Sequence, residues 1–196
     1  IEGEKITVIL PIKGYQDDHY VFMATSLGTV KKTRLSDFSN PRKAGIIAVD
    51  LNENDFLVGA AITDGQHDVM LFSDAGKAVR FDENGVRPMG RTARGVRGVN
   101  LGEGHQVIAM LGAPAEAAEG AEAVVVDANG LAIPSSVLTA TENGFGKRTP
   151  IGEYTRHGRG TKGMIAIQTT ERNGKVVAAA LVSPEDQIML ITTGGI

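Results

Sequence analysis

The sequence repeats itself, and this repeat constrains the fold more than any other feature. Three stretches align on a glycine that closes a turn, and they read M-A-T-S-L-G-T-V-K-K-T, L-F-S-D-A-G-K-A-V-R-F and T-A-T-E-N-G-F-G-K-R-T. The anchor glycines are Gly28, Gly76 and Gly144, and residues 190–195 begin a fourth copy. Because glycine accepts a positive φ without a Cβ clash, each anchor predicts a β-hairpin turn.

Each copy continues to a second glycine, a short strand and an apolar closing strand. The second glycines are Gly45, Gly98 and Gly163. The predicted short strands span residues 46–51, 99–101 and 164–168, and the predicted closing strands span residues 56–62, 107–111 and 176–182. Residues 5–12 also match a closing strand. The chain, which starts at Ile1, is therefore interpreted as a piece of a longer protein that holds three full repeats and parts of two others.

The repeats predict an all-β fold. Runs of β-branched residues alternate with Gly, Asn and Asp turns, and long helical periodicity is absent. A period of about 50 residues with four short strands is typical of the blades of a propeller-like array, or β-pinwheel. Because closed propellers need about four blades, we expect an open or spiral array. The predicted parts of this single domain, residues 1–196, are blade pieces 1–12, blades 18–63, 67–112 and 137–182, an insertion 113–136 and a partial blade 185–196.

The insertion separates the second and third blades. Its first part, A-P-A-E-A-A-E-G-A-E, is acidic and of low complexity, which is typical of a mobile segment. Its second part, V-V-V-D-A-N-G-L-A-I-P, predicts an extra hairpin that turns at residues 129–130.

Positive charge is concentrated in the repeats, although the net charge is −3. Residues 28–45, 76–98 and 144–163 carry 16 of the 20 lysines and arginines. The densest stretch, residues 86–101, predicts a twisted loop that exposes its arginines and enters a strand near Val99. Because duplex DNA carries one charge per about 1.7 Å of its axis, a basic loop on each blade predicts a track for its phosphates. We expect bending of duplex DNA, little sequence preference and binding that weakens steeply with salt.

These motifs also resemble a known family. G-R-T-A-R-G-V-R-G-V-N-L and the three hairpin stretches are similar to the C-terminal domain of the A subunit of bacterial DNA gyrase, over essentially the whole chain apart from the insertion. The resemblance implies a β-pinwheel whose blades exchange strands and whose basic rim wraps duplex DNA. It further implies an A2B2 holoenzyme, completed by the gyrase B subunit, that introduces negative supercoils. ATP and Mg²⁺ would act elsewhere in that holoenzyme, and this domain would hold no catalytic residue, cofactor or metal.

The rim loops of the family match sixteen cations of this chain, which the resemblance implies are DNA-binding. They are Lys31, Lys32, Arg34, Arg42 and Lys43 in the first blade, Lys77, Arg80, Arg87, Arg91, Arg94 and Arg97 in the second, and Lys147, Arg148, Arg156, Arg159 and Lys162 in the third. The box rich in glutamine, arginine and glycine that is typical of the family is absent from these residues. We therefore expect this chain to bind DNA without completing a wrap.

Other functional classes find less support. The chain has no cysteine, which excludes disulfides and fits a cytoplasmic location, and it has no apolar run long enough to span a membrane. Residues 158–163 satisfy G-x-G-x-x-G, but a dinucleotide site needs a strand before this motif and a helix after it. The four histidines lack metal-ligand spacing and are expected in solvated loops, and Tyr154 is expected to be a strand-edge or packing residue. The alternatives left open are the corresponding domain of the topoisomerase IV A subunit and a propeller that binds proteins through its acidic face.

Overall fold

The computed structural model describes residues 5–115, 125–126 and 132–195. In this part of the chain, regular structure consists of short strands and 3₁₀ turns, and no helix is long and apolar enough to cross a membrane. The strands are β1 (Tyr20–Thr25), β2 (Thr29–Arg34), β3 (Leu57–Thr63), β4 (His67–Ser73), β5 (Lys77–Asp82), β6 (Val96–Arg97), β7 (Val107–Pro114), β8 (Val125–Val126), β9 (Ala132–Ile133), β10 (Ser136–Thr141), β11 (Gly146–Pro150), β12 (Met164–Ile165) and β13 (Val176–Val182).

The three blades share one backbone pattern. In each, a hairpin (β1–β2, β4–β5 or β10–β11) is joined by an antiparallel closing strand (β3, β7 or β13). Each anchor glycine donates its N–H to the carbonyl three residues earlier at 3.0 Å, and Gly195 makes the same bond to Thr192. These bonds confirm the hairpin turns predicted at Gly28, Gly76 and Gly144, whereas no strand flanks Gly195 among the described residues. A bulge also follows the same position of each blade, at Ala24, Phe72 and Ala140.

Neighbouring blades exchange short strands. β6 comes after the second hairpin but pairs with β2 of the first blade, and β12 likewise pairs with β5 of the second blade. The first two sheets therefore have the orders β3-β1-β2-β6 and β12-β5-β4-β7, and the third has the order β11-β10-β13. The exchange that the resemblance implied is confirmed.

The position of β6 corrects the predicted strand near Val99. That residue forms only an isolated bridge to Thr161, and the strand lies earlier, so the equivalent of Gly163 is Gly95 rather than Gly98. Both glycines lead into an exchanged strand with a positive φ, and a Cβ would lie 2.4 Å from the Val30 carbonyl at Gly95 and 2.5 Å from the Ala78 carbonyl at Gly163. A glycine is needed here because the exchanged strand must approach the preceding sheet closely.

Two predicted strands are absent, because residues 46–51 and 5–12 have no strand geometry. Residues 45–47 align with the exchanged strands, since G-I-I matches G-V-R and G-M-I. However, no sheet precedes the first blade among the residues described, so this segment lacks a partner edge. The predicted closing strands are confirmed, with β3 shifted by one residue and β7 extended to Pro114.

The insertion forms a hairpin, because β8 pairs with β9. The turn predicted at residues 129–130 and most of the acidic stretch lie outside the described residues. The insertion is shorter than predicted, because β7 and β10 extend into residues 113–136 from both sides.

The core lies between blades, and β4 of the middle blade supplies both halves of it. Successive side chains of a strand point to opposite faces. Val69 and Leu71 therefore pack in a cluster with Phe22 of the first blade, whereas Met70 and Phe72 pack in a second cluster with residues of the third blade. Because the middle blade is covered on both faces, polar side chains in its neighbourhood can also be fully buried.

Candidate nucleic-acid interface

Three loops follow the second strands of the hairpins, and we call them rim loop 1 (residues 35–45), rim loop 2 (residues 83–95) and rim loop 3 (residues 151–163). Each begins with a 3₁₀ turn, and these are Leu35–Phe38, Glu83–Gly85 and Ile151–Glu153. The N–H of Met89 donates to the Lys32 carbonyl at 2.8 Å, and the N–H of His157 donates to the Arg80 carbonyl at 2.9 Å. Rim loops 2 and 3 therefore cross the preceding blade at equivalent points.

Lys32 is buried in the junction between the first two blades. Its ammonium lies 2.8 Å from a carboxylate oxygen of Glu83, and both side chains are at most 2% exposed. The hydroxyl of Thr63 and the backbone N–H groups of Gly65 and His67 donate to the same carboxylate at 2.7–3.0 Å. Lys32 thus holds the second blade to the first.

Arg80 occupies the same hairpin position one blade later and is also buried. Its Nε donates to Asp68 at 2.6 Å, and its Nη1 donates to the carbonyls of Ile151 and Tyr154 in the third blade at 3.2 and 3.0 Å. Tyr154 itself packs edge-on against Phe72, which confirms its predicted packing role.

Lys31 is buried beside Lys32 and joins two different segments. Its ammonium donates to the Ala48 carbonyl at 2.6 Å and to the Arg91 carbonyl. Burial, together with the charge of Arg91, lowers the pKa of Lys31 to about 8. The prediction that Lys31, Lys32 and Arg80 belong to the basic surface is therefore wrong, because all three are buried. Lys32 and Arg80 lie between blades, whereas Lys31 is covered by the segment of Ala48 and by rim loop 2.

Four of the predicted cations reach the surface but bond to the protein. Arg94 donates to Asp50 at 2.8 Å, which raises the pKa of Arg94, and Arg156 pairs with Asp68, which raises the pKa of Arg156. Arg91 and Arg159 donate to backbone carbonyls of neighbouring loops. The expectation that the arginines of residues 86–101 extend freely into solvent is thus wrong for Arg91, which is half-buried, and for Arg94.

The other nine predicted cations are exposed, and their side chains make no hydrogen bond or ion pair with any described residue. They are Arg34, Arg42, Lys43, Lys77, Arg87, Arg97, Lys147, Arg148 and Lys162. Lys77 of the second blade and Lys162 of the third line one open cavity of about 330 Å³, together with His105. Exposed cations from successive blades therefore share a surface.

Sequence reasoning missed the carboxylates that organise this region. Asp68 and Glu83 are fully buried and bind cations, and Asp50 holds Arg94. Their signal in the sequence is weak, because each partner lies in a different strand or loop.

Three of the four histidines differ from the prediction of solvated loops, whereas His157 is exposed in rim loop 3 as predicted. His19, His67 and His105 are half-buried, and each Nδ1 lies 2.8–3.0 Å from an aspartate. His67, Asp64 and Glu83 lie close enough together to suggest a metal site. However, the Glu83 carboxylate already accepts bonds from its neighbours and Lys32, so this arrangement is satisfied by the protein itself.

Comparison with known families decides the family of this chain. The family model described as the DNA gyrase C-terminal domain, beta-propeller, matches residues 19–64, 67–112 and 135–183. The chain belongs to this family. The resemblance seen in the motifs is thereby confirmed.

The A subunits of several bacterial gyrases resemble this gyrase A C-terminal domain along its whole length. The DNA gyrase A subunit of Salmonella typhimurium is 50% identical over 98% of the chain, and that of Pseudomonas aeruginosa is 49% identical over 100% of it. The chain spans about a fifth of the length of these relatives, namely 20% and 19%.

Solved structures share the fold. A structure of a DNA gyrase A C-terminal domain aligns with a TM-score of 0.69 and 28% identity, and it covers 88% of this chain and 52% of that one. A C-terminal domain of DNA topoisomerase IV aligns with a TM-score of 0.77 over 93% of this chain and 52% of that one, at 24% identity. The second likeness concerns the fold alone, whereas the curated relatives named above are gyrase subunits.

Proposed function

We propose that this gyrase A C-terminal domain binds duplex DNA through its phosphates and bends it along the rim loops. The observation that carries the proposal is the placement of nine exposed cations, in the rim loops and in the strands that flank them, on three successive blades. None of them is paired with another described residue. Blades of one backbone pattern present these cations in sequence, so they form a curved basic surface. Such a surface suits a phosphate backbone, which repeats its charge regularly.

The chemistry of this surface favours binding without base recognition. Its donors are lysine and arginine side chains, and the glycines of the rim loops allow backbone N–H groups to approach phosphates. Among the described residues no α-helix is available to enter a major groove. Affinity therefore depends on released counterions and on how readily a sequence bends.

In the complete enzyme, we infer that the domain acts with the remainder of the gyrase A subunit and with the B subunit in an A2B2 assembly in the cytoplasm. Both relatives named above are A subunits of DNA gyrases, which supports this inference. The bend made here would orient DNA for ATP-dependent strand passage that introduces negative supercoils, with the catalytic groups, ATP and Mg²⁺ located elsewhere in the holoenzyme.

A salt titration tests the proposal. Binding of the 196-residue chain to a labelled duplex is measured by fluorescence anisotropy at several salt concentrations. If the surface contacts roughly 6 phosphates, the slope of log K against log salt is about −5. An affinity that does not change with salt, or capture of a protein in the absence of DNA binding, would instead support the protein-binding propeller.

Two matched double variants locate the surface. Arg87→Glu with Arg97→Glu reverses two exposed cations in and beside rim loop 2, and Lys5→Glu with Arg172→Glu makes the same change of charge at exposed cations outside the rim loops and their flanking strands. We expect the first pair to reduce the magnitude of the slope by about 2, because two phosphate contacts are lost. The second pair should leave the slope unchanged, and equal loss in both pairs would contradict the assignment to the rim loops.

A further inference from the structure

Arg91 and Arg159 occupy equivalent positions in rim loops 2 and 3. Arg91 follows Met89 by two residues and Arg159 follows His157 by two residues, and those two preceding residues make the equivalent backbone bonds to the blade before. The two arginines therefore belong to one repeated feature and can be compared directly.

Each of these arginines reaches the segment that follows the preceding rim loop. Arg91 Nη1 donates to the Ile47 carbonyl at 3.0 Å, and Arg159 Nη1 donates to the Arg97 carbonyl at 3.0 Å. Ile47 and Arg97 each lie two residues after the second glycine of their copy, Gly45 or Gly95. The same donor atom thus meets the same backbone position at two joints, and by joint we mean the place where a rim loop contacts the segment that follows the preceding rim loop.

A backbone bond lies beside each arginine contact. The N–H of Asp50 donates to the Ala93 carbonyl at 3.4 Å, and the N–H of Asn100 donates to the Thr161 carbonyl at 2.9 Å. These pairs are also equivalent in the repeat. Two parallel contacts at each joint fix the distance and the orientation of one loop relative to the next.

We propose that Arg91 and Arg159 are positioning residues that set the spacing of neighbouring rim loops, and hence the curvature imposed on DNA. The inference rests on the proposed function, because curvature has a consequence only if the loops hold DNA. Exposed cations such as Arg87 contact phosphates, whereas these two arginines hold the cations at fixed separations. Bending a duplex costs free energy, so a surface that is rigid before DNA arrives bends it more effectively.

The separation of the loops is measured first in the protein alone. The chain has no cysteine, so spin labels can be attached after Glu53→Cys and Thr92→Cys, two exposed sites on either side of the first joint. We expect Arg91→Ala to broaden the distance distribution between the labels, and Arg87→Ala to leave it unchanged. Thermal unfolding of both variants verifies that each is folded.

Measurements of DNA binding then distinguish a positioning role of Arg91 and Arg159 from direct contact with phosphates. For Arg91→Ala and for Arg159→Ala we expect a smaller bend, measured by energy transfer between the ends of a labelled duplex. Affinity should fall about fivefold for Arg91→Ala, the effect of one lost hydrogen bond, with an unchanged salt slope. It should fall further for Arg159→Ala, because Arg159 Nε also donates to the Gly85 carbonyl at 3.0 Å. For Arg87→Ala we expect the magnitude of the slope to fall by about 1.

The possible results are distinguishable. If Arg91→Ala and Arg159→Ala lower the salt slope as Arg87→Ala does, they contact phosphates and the inference is wrong. If Arg91→Ala leaves the distribution of distances between the labels unchanged, the inference is also wrong, whatever the bend and the affinity for DNA. If the parent chain shows no salt-dependent binding, the proposed function fails, while the distance measurement still reports on the spacing of the loops.

Discussion

The two junctions between blades use the same backbone contacts but different side-chain chemistry. At the first junction the N–H groups of Gly98 and Val99 meet the Gly28 carbonyl, and at the second those of Ala166 and Ile167 meet the Gly76 carbonyl. The buried cation at equivalent positions is Lys32 in one case and Arg80 in the other. The backbone therefore defines the repeat, and each junction satisfies its buried charge in its own way.

The two buried cations differ in how many partners would survive their loss. Glu83 has Lys32 as its buried cationic partner, with His67 at 3.7 Å. Asp68 pairs with Arg80 and also with Arg156, which is 44% exposed and approaches from the solvent side. The second junction is thus better protected against the removal of one charge.

The largest expected effect is that of Lys32→Met compared with Arg80→Met. Removing one partner of a buried ion pair costs about 3–5 kcal/mol, and we expect this loss in the free energy of unfolding for Lys32→Met. Arg80→Met should cost only about 2 kcal/mol, because Asp68 keeps a charged partner and the loss is mainly that of hydrogen bonds. Urea unfolding measures both variants.

A double variant sharpens this contrast. Adding Arg156→Ala to Arg80→Met removes the remaining partner of Asp68, so the combined loss should exceed the sum of the single losses. Equal losses for Lys32→Met and Arg80→Met would contradict the difference between the junctions.

The anchor glycines provide the second comparison. At Gly76 a Cβ would lie 2.2 Å from the Ile167 carbonyl of the exchanged segment, whereas at Gly144 it would meet nothing within 4 Å. Both residues have a positive φ, so alanine costs about 1–2 kcal/mol at either site. We expect Gly76→Ala to cost about 2 kcal/mol more because the exchanged segment must move.

Thermal unfolding of Gly76→Ala and Gly144→Ala checks this expectation, with Gly144→Ala as the control for backbone strain alone. If the two variants had equal stability, the close approach of the exchanged segment would not be important for stability.

The smallest expected effect is the pH dependence of the first junction. In the folded state the pKa of Lys31 is about 8, against an ordinary value of 10.5. Between these values the unfolded chain binds more protons, so the contribution of Lys31 to stability rises with pH and is lost as pH falls through 8. We expect a gain of roughly 1 kcal/mol, less than full linkage predicts, because two carbonyls stabilise the ammonium.

Unfolding free energies at about pH 7 to 10 test this, with Lys31→Met as the reference that lacks the titrating group. In Arg91→Ala the rise in the free energy of unfolding should begin at higher pH, because the charge of Arg91 helps to lower the pKa of Lys31. A parallel pH dependence of the parent chain and Lys31→Met would show that Lys31 does not titrate in this range.

The hairpins and closing strands were predictable from the sequence, because turn glycines and apolar runs are local signals. The sheet that β6 joins was not, since its partner β2 belongs to another blade and only two residue pairs form. The burial of Lys31 and Lys32 was also hidden. Adjacent strand residues point to opposite faces, so two neighbouring lysines are expected to place at least one in solvent. Here the second blade covers Lys32, and loop segments at Ala48 and Arg91 cover Lys31.

For the candidate site, the basic loops were predictable from charge and spacing. Which of their cations are buried, which bond to the protein and which remain exposed was not predictable. Lys32 meets Glu83 and Arg94 meets Asp50 across long stretches of sequence. Which cations stay free depends on these distant partners, and the order of charges along the chain cannot show it.

The exchanged strands have a mechanical consequence. Each of the first two hairpins is held by five residue pairs, whereas each exchanged strand adds only two. The stiffness of each joint therefore depends on the few side-chain and backbone contacts that bridge it, such as those of Arg91 and Arg159. If those contacts were lost, a charged polymer pulled around the array would deform the joint before it distorted a blade. The elasticity of the whole depends on a few hydrogen bonds at each joint, so single substitutions there can tune it without altering any blade.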